Sequence, residues 1–149
     1  MKQEVSIDGP WRFAAYEKGL GERQGAHQIR YDTKGWLDAQ TPGEVYSDLL
    51  RAGLIADARS GADWVESKEW WYRAEFTLSF QFPRENAHLS LDNLDSTATI
   101  WLNGHRLDTT SHHPEIGDLL HPGPNTIAVR IHSTNSSSKH KAIRIALPD

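Results

Sequence analysis

Residues 70–82 alternate between apolar and polar side chains with a period of two: the even positions are apolar, and the odd positions from Arg73 onward are polar. This period is typical of a strand that buries one face. Similar alternation predicts shorter strands within residues 5–13, 36–40, 87–92, 97–102, 126–132 and 142–147. Residues 17–35 are polar and contain glycine, which predicts a loop.

Turn and cap signals divide these strands. Thr41-Pro42-Gly43-Glu44 matches a capping box with proline at the first helical position, and Gly53 follows the apolar positions Val45, Leu49 and Ala52. These signals predict one short helix. Asn103-Gly104 is the preferred dipeptide of a two-residue hairpin turn. Many short strands and one short helix indicate an all-β, mainly antiparallel sandwich.

Two tryptophans break the alternation. Trp71 shares a strand face with Arg73 and Glu75, and Trp101 shares one with Thr97 and Thr99. A large ring on a polar face suits a sugar or a partner surface. The alternative is that a loop, the second sheet or a neighbouring domain covers the ring.

Composition limits the function classes. A chain of 149 residues can bury one substantial core and is expected to be a single domain, residues 1–149. The net charge is −4 and charges of both signs are interspersed, which argues against nucleic acid and membrane as partners. With no cysteine and no apolar leader, localisation stays open between the cytoplasm and secretion after processing.

Five segments occur in an order that points to a known family. They are Thr41–Val45, Asp48–Asp57, Glu69–Phe76, Leu91–Gly104 and Leu119–Val129. Together they resemble the N-terminal sugar-binding jelly-roll domain of glycoside hydrolase family 2, a galactose-binding-domain-like fold, and most closely its β-mannosidase-like branch. The resemblance covers residues 5–133, and residues 134–149 read as a loop and a final strand.

The resemblance implies that the loop Arg59–Glu69 borders a glycosidase active site. The candidate carbohydrate-binding residues are Trp71, Trp64, Asp63, Glu66 and Trp101. Carboxylates and flat rings supply the hydrogen bonds and the apolar surface that a sugar needs. The alternative is that Trp64 and Trp70 close the end of the sandwich and that the charges solvate the loop.

No catalytic residue is assigned. In the resembled family two glutamates on a separate barrel, a fold of about 250 residues, perform hydrolysis. Asp92 and Asp95 read as turn chemistry, the histidine spacings match no metal site, and no cofactor is expected.

Asn135–His140 stands where the β-mannosidase branch has a Trp-Asp-Trp loop. Either that loop is shortened, or the resemblance ends near Ser133.

Three functions remain open at the level of sequence. The first is an accessory domain that helps to shape the active site of a β-mannosidase-like hydrolase, with catalytic and immunoglobulin-like domains as partners. The second is an autonomous carbohydrate-binding module for a mannoside or a related glycoside. The third is a protein-interaction domain that has lost sugar binding.

Overall fold

A computed structural model describes residues 3–7, 10–39, 43–54, 63–90, 98–108, 114–131, 139–140 and 144–147. The strands are β1 (Gln3–Ser6), β2 (Trp11–Glu17), β3 (Leu37–Ala39), β4 (Gly43–Glu44), β5 (Lys68–Leu78), β6 (His88–Ser90), β7 (Thr99–Leu102), β8 (His105–Arg106), β9 (Gly123–Ile131), β10 (Lys139–His140) and β11 (Arg144–Leu147). The helices are α1 (Leu20–Gln24), α2 (Val45–Arg51) and α3 (Asp63–Glu66). Asp92, Asp95 and the stretch 135–138 lie outside the described residues.

The strands form two facing sheets and one small ribbon. The larger sheet has the order β3-β2-β5-β9-β7-β8, the smaller has the order β1-β11-β6, and β10 pairs with β4. Every pairing between the described strands is antiparallel. The last strand, β11, lies between β1 and β6, so the end of the chain completes the smaller sheet. This architecture confirms the predicted galactose-binding-like β-sandwich.

The main core lies between the larger and the smaller sheet and contains the side chains that the alternation placed inward. From β5 these are Trp70, Tyr72, Ala74 and Leu78, and from the smaller sheet Leu89 and Ile145 contribute. The strand ends at Leu78, earlier than the sequence pattern indicates. Phe80 is 90% exposed because the chain turns between Ser79 and Phe82, where the amide of Phe82 donates to the carbonyl of Ser79. The prediction that Phe80 faces inward was therefore wrong.

The predicted turn residues perform their expected roles. Asn103 and Gly104 have φ angles of 50° and 83° and connect β7 to β8. Gly53 has a φ of 76° after α2, and the amides of Gly53 and Leu54 donate to the carbonyls of Leu50 and Leu49. That pair of bonds is a Schellman motif, which glycine accommodates without strain. Thr41 and Pro42 of the predicted capping box lie outside the described residues.

Residues 18–36 form a third layer, which we call the covering segment. The sequence predicts a loop here, but the segment contains α1 and packs on the outer face of the larger sheet. Ala26 and Trp36 of this segment are buried against Trp71, Trp101 and Ala128 of the sheet. The expectation of one helix was therefore wrong, because α1 and α3 accompany the predicted α2.

Candidate functional site

Trp71 and Trp101 lie on the outer face of the larger sheet, as their strand parity requires, but neither ring is exposed. Their exposed fractions are 0% and 2%. The prediction that they offer a surface platform was wrong because the covering segment lies over them. The alternative that a crossing loop covers Trp101 is confirmed. In the described structure both rings belong to a second hydrophobic core.

A buried arginine organises this second core. The two indoles stack with centroids 5.0 Å apart, and the guanidinium carbon of Arg130 lies 5.8 Å from the Trp71 ring and 5.1 Å from the Trp101 ring. Arg130 Nη1 donates to Glu22 Oε1 of α1 at 2.8 Å, and Nη2 donates to Thr99 Oγ1 at 3.3 Å. Arg130 thus links the sheet to the covering segment through cation–π contacts and an ion pair.

Two further side chains of β5 hold the covering segment. The buried Glu69 carboxylate accepts from Trp71 Nε1 at 2.6 Å and from the Gly19 amide at 2.7 Å. Arg73 donates to the backbone carbonyls of Ala26, Gln28 and Ile29. Burial lowers the pKa of Arg73 from its ordinary value, while the nearby Glu75 carboxylate opposes that shift. Glu69 and Arg73 therefore anchor the covering segment, whereas Glu75 and Thr77, farther along β5, are exposed.

Trp64 is the candidate platform whose ring reaches solvent. It is 39% exposed, and its ring leans on Trp70 with centroids 6.0 Å apart and an interplanar angle of 54°. Val65 holds α3 against the core, because its side chain is buried and its carbonyl accepts from Trp70 Nε1 at 2.9 Å. Asp63 and Glu66 are the first and last residues of the same helix, α3. A sugar-binding role for these three residues stays a prediction.

A buried carboxylate on α2 was not singled out from the sequence. Asp48 of α2 is fully buried and accepts from Tyr72 Oη at 3.0 Å and from Arg51 Nη1 at 2.8 Å. Burial raises the pKa of Tyr72 well above 10, and the negative charge of Asp48 adds to that shift. Because Asp48 and Tyr72 belong to two of the family-like segments, their contact gives a structural reason for both segments.

A cleft of mixed polar and apolar lining opens beside the covering segment, and sequence reasoning missed it. Its volume is about 420 Å³, and it is lined by Pro10, Arg12, Tyr31, Thr33, Arg73, Ala74 and Glu75. These residues come from three distant parts of the chain. Only the pairing of β2 with β5 and the fold of the covering segment bring them together, so a local motif could not have revealed the cleft.

The buried carboxylates of the described residues stabilise the fold. The buried carboxylates Asp48 and Glu69 are both engaged in hydrogen bonds that hold elements together. No three His, Cys, Asp or Glu side chains in the described part of the chain group as metal ligands. The helices that the structure describes are all too short or too polar to cross a bilayer.

The sandwich fold and the order of the sequence motifs are those of galactose-binding-like domains of family 2 glycoside hydrolases. A comparison with family models gives the same class. Residues 11–146 match the family described as "Glycosyl hydrolase 2 galactose-binding domain-like". The chain belongs to this family. The match continues past Ser133 into β11, the last strand of the smaller sheet.

Curated relatives and solved structures are glycosidases. A Caenorhabditis elegans protein named "Probable beta-mannosidase" is 25% identical over 148 residues, which cover 93% of this chain and 15% of the relative. The lily (Lilium longiflorum) mannosylglycoprotein endo-β-mannosidase is 33% identical over 112 residues, covering 65% of this chain and 12% of the relative. The β-D-mannosidase of Dictyoglomus thermophilum superposes with a TM-score of 0.68 at 29% identity, covering 87% of this chain and 15% of that one. The chain therefore spans less than a fifth of the length of these three proteins.

Proposed function

We propose that this chain is a non-catalytic accessory domain of a β-mannosidase-like glycoside hydrolase. In this proposal it helps to shape an active site whose catalytic groups belong to a separate barrel domain. The observation that carries the proposal is the pair of coverages for the Caenorhabditis elegans relative, 93% of this chain but 15% of the relative. Most of such a hydrolase is made by other domains.

The use of carboxylates supports a non-catalytic role. A retaining glycosidase needs two carboxyl groups about 5 to 5.5 Å apart, both able to reach the sugar. The two buried carboxylates of the described residues, Asp48 and Glu69, are enclosed and already bonded to neighbouring donors. Neither is available to a substrate without breaking the contacts that hold α2 or the covering segment.

In this proposal α3 is the part of the domain that borders the shared active site. Trp64 exposes part of its ring, and Asp63 and Glu66 lie in the same helical turn. A partly exposed ring on a helix whose sequence also contains acidic residues suits a sugar at the rim of a pocket. The hydrogen bond from Trp70 to the Val65 carbonyl keeps α3 in place before substrate arrives.

An autonomous carbohydrate-binding module is the second candidate function. The observation that favours it is the 420 Å³ cleft, whose lining residues within this chain include both donors and acceptors. Pockets for small ligands usually measure about 300 to 1,000 Å³, so this cleft is of adequate size.

Two measurements test the accessory role. Purified chain incubated with nitrophenyl β-mannoside should release no phenolate above buffer. Turnover that survives repurification and is lost in Asp63→Asn or Glu66→Gln would overturn the non-catalytic assignment. Reading the gene beyond the codon for Asp149 is the second measurement. An immunoglobulin-like domain and a barrel there support the accessory role, whereas a stop codon would favour an autonomous module or an interaction domain.

A further inference from the structure

Two buried asparagines join the turn between β7 and β8 to the segment that enters β9. Asn103 Nδ2 donates to the Leu119 carbonyl at 2.8 Å and to Asn125 Oδ1 at 2.9 Å, and Asn103 Oδ1 accepts from the Thr126 amide at 2.8 Å. Asn103 is 6% exposed and Asn125 is 1% exposed. We call these three hydrogen bonds the asparagine clasp. Both side-chain N–H groups of Asn103 are used while the clasp is closed.

The second asparagine of the clasp is held in one orientation. Asn125 Oδ1 also accepts from the His121 amide at 2.9 Å, and Asn125 Nδ2 donates to the carbonyls of His121 and Gly123 at 2.9 and 3.1 Å. Exchanging the oxygen and the nitrogen would leave the His121 amide without this acceptor and would bring an oxygen against two carbonyls. Unpaired buried polar groups are costly. Asn125 therefore offers Asn103 an acceptor and not a donor.

Asn103 is followed by a glycine, and this pair of residues can react with itself. Gly104 has no side chain, and beyond its chain neighbours no atom lies within 4 Å of the position that a Cβ would occupy. An amide nitrogen this unhindered can attack the side-chain carbonyl carbon of the preceding asparagine. The new C–N bond closes a cyclic imide, the bond from Cγ to Nδ2 breaks, and the amide proton leaves with ammonia. Water then opens the imide to aspartate or isoaspartate.

The asparagine clasp opposes this reaction in the folded state. The side chain must rotate until its carbonyl carbon meets the Gly104 nitrogen, and that rotation breaks its bonds to Leu119, Asn125 and Thr126. The turn leads into β8, which has two residues, lies at the edge of the larger sheet and pairs there with β7. Elements of this kind open more readily than core strands. Deamidation is therefore restricted to moments when this edge separates.

The product of the reaction does not restore the clasp. An aspartate side chain at position 103 has no N–H at neutral pH, so its carboxylate would face the Leu119 carbonyl and Asn125 Oδ1, which are both acceptors. Asn125 does not turn its Nδ2 toward the carboxylate, because that group is bonded to His121 and Gly123. Isoaspartate also inserts the side-chain methylene into the backbone, which lengthens a two-residue turn.

We propose that Asn103 is a site of spontaneous deamidation that the asparagine clasp suppresses in the closed fold. Once modified, the residue holds the turn between β7 and β8 away from Leu119 and Asn125. The modification is then a one-way record of the opening of this edge of the larger sheet. The proposal is independent of the accessory function, because it rests on hydrogen bonds within this chain.

The first test compares deamidation in the native chain and in the chain unfolded by guanidinium chloride, at the same pH and temperature. Trypsin releases residues 85–106 as one peptide, and fragmentation assigns the mass increase to Asn86, Asn93 or Asn103. In the unfolded chain Asn103 should be modified fastest. In the native chain its rate should be at least about tenfold lower, because modification requires local opening. Equal rates would show that the clasp gives no protection, and an unmodified Asn103 in the unfolded chain would remove it as a site.

A variant of the partner asparagine tests the clasp without altering the reacting pair. Asn125→Ala should raise the native rate at Asn103 at least about fivefold, because it removes one acceptor of the reacting amide. Ile145→Val, in the smaller sheet, is the control for a loss of stability elsewhere and should leave the rate near that of the parent. Equal acceleration in both variants would assign the effect to global stability and contradict the clasp.

A mimic of the product tests whether the clasp closes again. Asn103→Asp should unfold at a lower urea concentration than the parent, and Asn86→Asp should unfold near the parental midpoint. Asn86 is the matched control because it also has a positive φ, 61° against 50° for Asn103, and is exposed. Equal midpoints for the two variants would overturn the proposal.

If Asn103→Asp does not fold, the parent chain still decides. After ageing in guanidinium chloride and refolding, the peptide modified at Asn103 should be depleted from the folded monomer that size exclusion separates. An equal share of modified peptide in the folded and misfolded fractions would show that the fold accepts the product.

Discussion

The indole of Trp71 lies against the indole of Trp101 with ring centroids 5.0 Å apart and an interplanar angle of 20°. These two residues come from β5 and β7, which are separated by β9, and Arg130 of β9 lies over both rings. The contact turns the outer face of the larger sheet into a second core beneath the covering segment. The domain thus has three layers, and its tryptophans chiefly contribute packing.

Trp71→Ala should destabilise the fold strongly. The ring is fully buried, contacts Trp101 and donates to Glu69, and truncation of a core Trp typically costs about 3 to 5 kcal/mol. Urea unfolding should give a loss comparable with that of Trp70→Ala on the opposite face. A loss within about 0.5 kcal/mol, the usual range for surface changes, would mean that the covering segment does not enclose Trp71.

Gly21→Ala tests the close approach of α1 to the sheet. A methyl group at Gly21 would overlap the indole nitrogen of Trp71 and lie 3.0 Å from Glu69 Oε2. Overpacking of this kind typically costs about 1 to 3 kcal/mol. Gln24→Ala, at an exposed position of the same helix, is the matched control and should unfold at nearly the parental urea concentration. Equal stability of both variants would show that α1 lies farther from β5.

The alternation of β5 could be predicted because strand parity depends only on neighbouring residues. It correctly placed Trp70 and Trp71 on opposite faces, in the first and second cores respectively. Parity does not report what lies above a face. The cover over Trp71 depends on long-range bonds, such as Arg73 to the Ala26 carbonyl, between residues 47 positions apart. The small residues Gly21, Gly25 and Ala26 were the available signal of a closely packed segment.

The candidate site was predictable only in part, for the same reason. Trp64 could be identified because it stands in a polar segment just before a strand, and its ring does reach solvent. The cleft was missed because Arg12, Tyr31 and Glu75 become neighbours only after the covering segment folds over β2 and β5. Asp48 was visible inside a family-like segment, but its role depends on Tyr72, 24 residues away.

Stability should fall at high pH through Tyr16, which is partly buried, and Tyr72, which is buried. Burial, with the Tyr31 hydroxyl, raises the pKa of Tyr16 to about 12, whereas a tyrosine in the unfolded chain titrates near 10. The folded state thus retains a proton that the unfolded state loses. This stabilisation is fully present below about pH 10 and is lost as the pH rises through about 12.

The pKa of Tyr72, which burial raises well above its ordinary value, gives a dependence of the same sign. The measurement is urea unfolding between about pH 9 and pH 12, where the midpoint should fall steadily. Tyr16→Phe should show a shallower fall because one titrating group is removed. An identical pH profile in the variant would contradict the raised pKa of Tyr16.

Trp64→Phe should remove most of the quenchable tryptophan fluorescence. The chain has six tryptophans. Trp64 is 39% exposed, whereas Trp11, Trp36, Trp70, Trp71 and Trp101 are each 9% exposed or less. Acrylamide should therefore quench the parent with an accessible component that Trp64→Phe lacks, and the remaining emission should lie at shorter wavelength.

The same signal separates the two proposed roles. Saccharide bound in the cleft leaves the Trp64 ring free, so the quenching of the parent should be unchanged when mannotriose is added. Attachment of a catalytic domain that shares an active site with α3 should instead protect Trp64 from acrylamide. Protection by mannotriose alone would place the sugar on Trp64 and contradict the cleft, and persistent quenching in a full-length hydrolase would contradict a shared active site at α3.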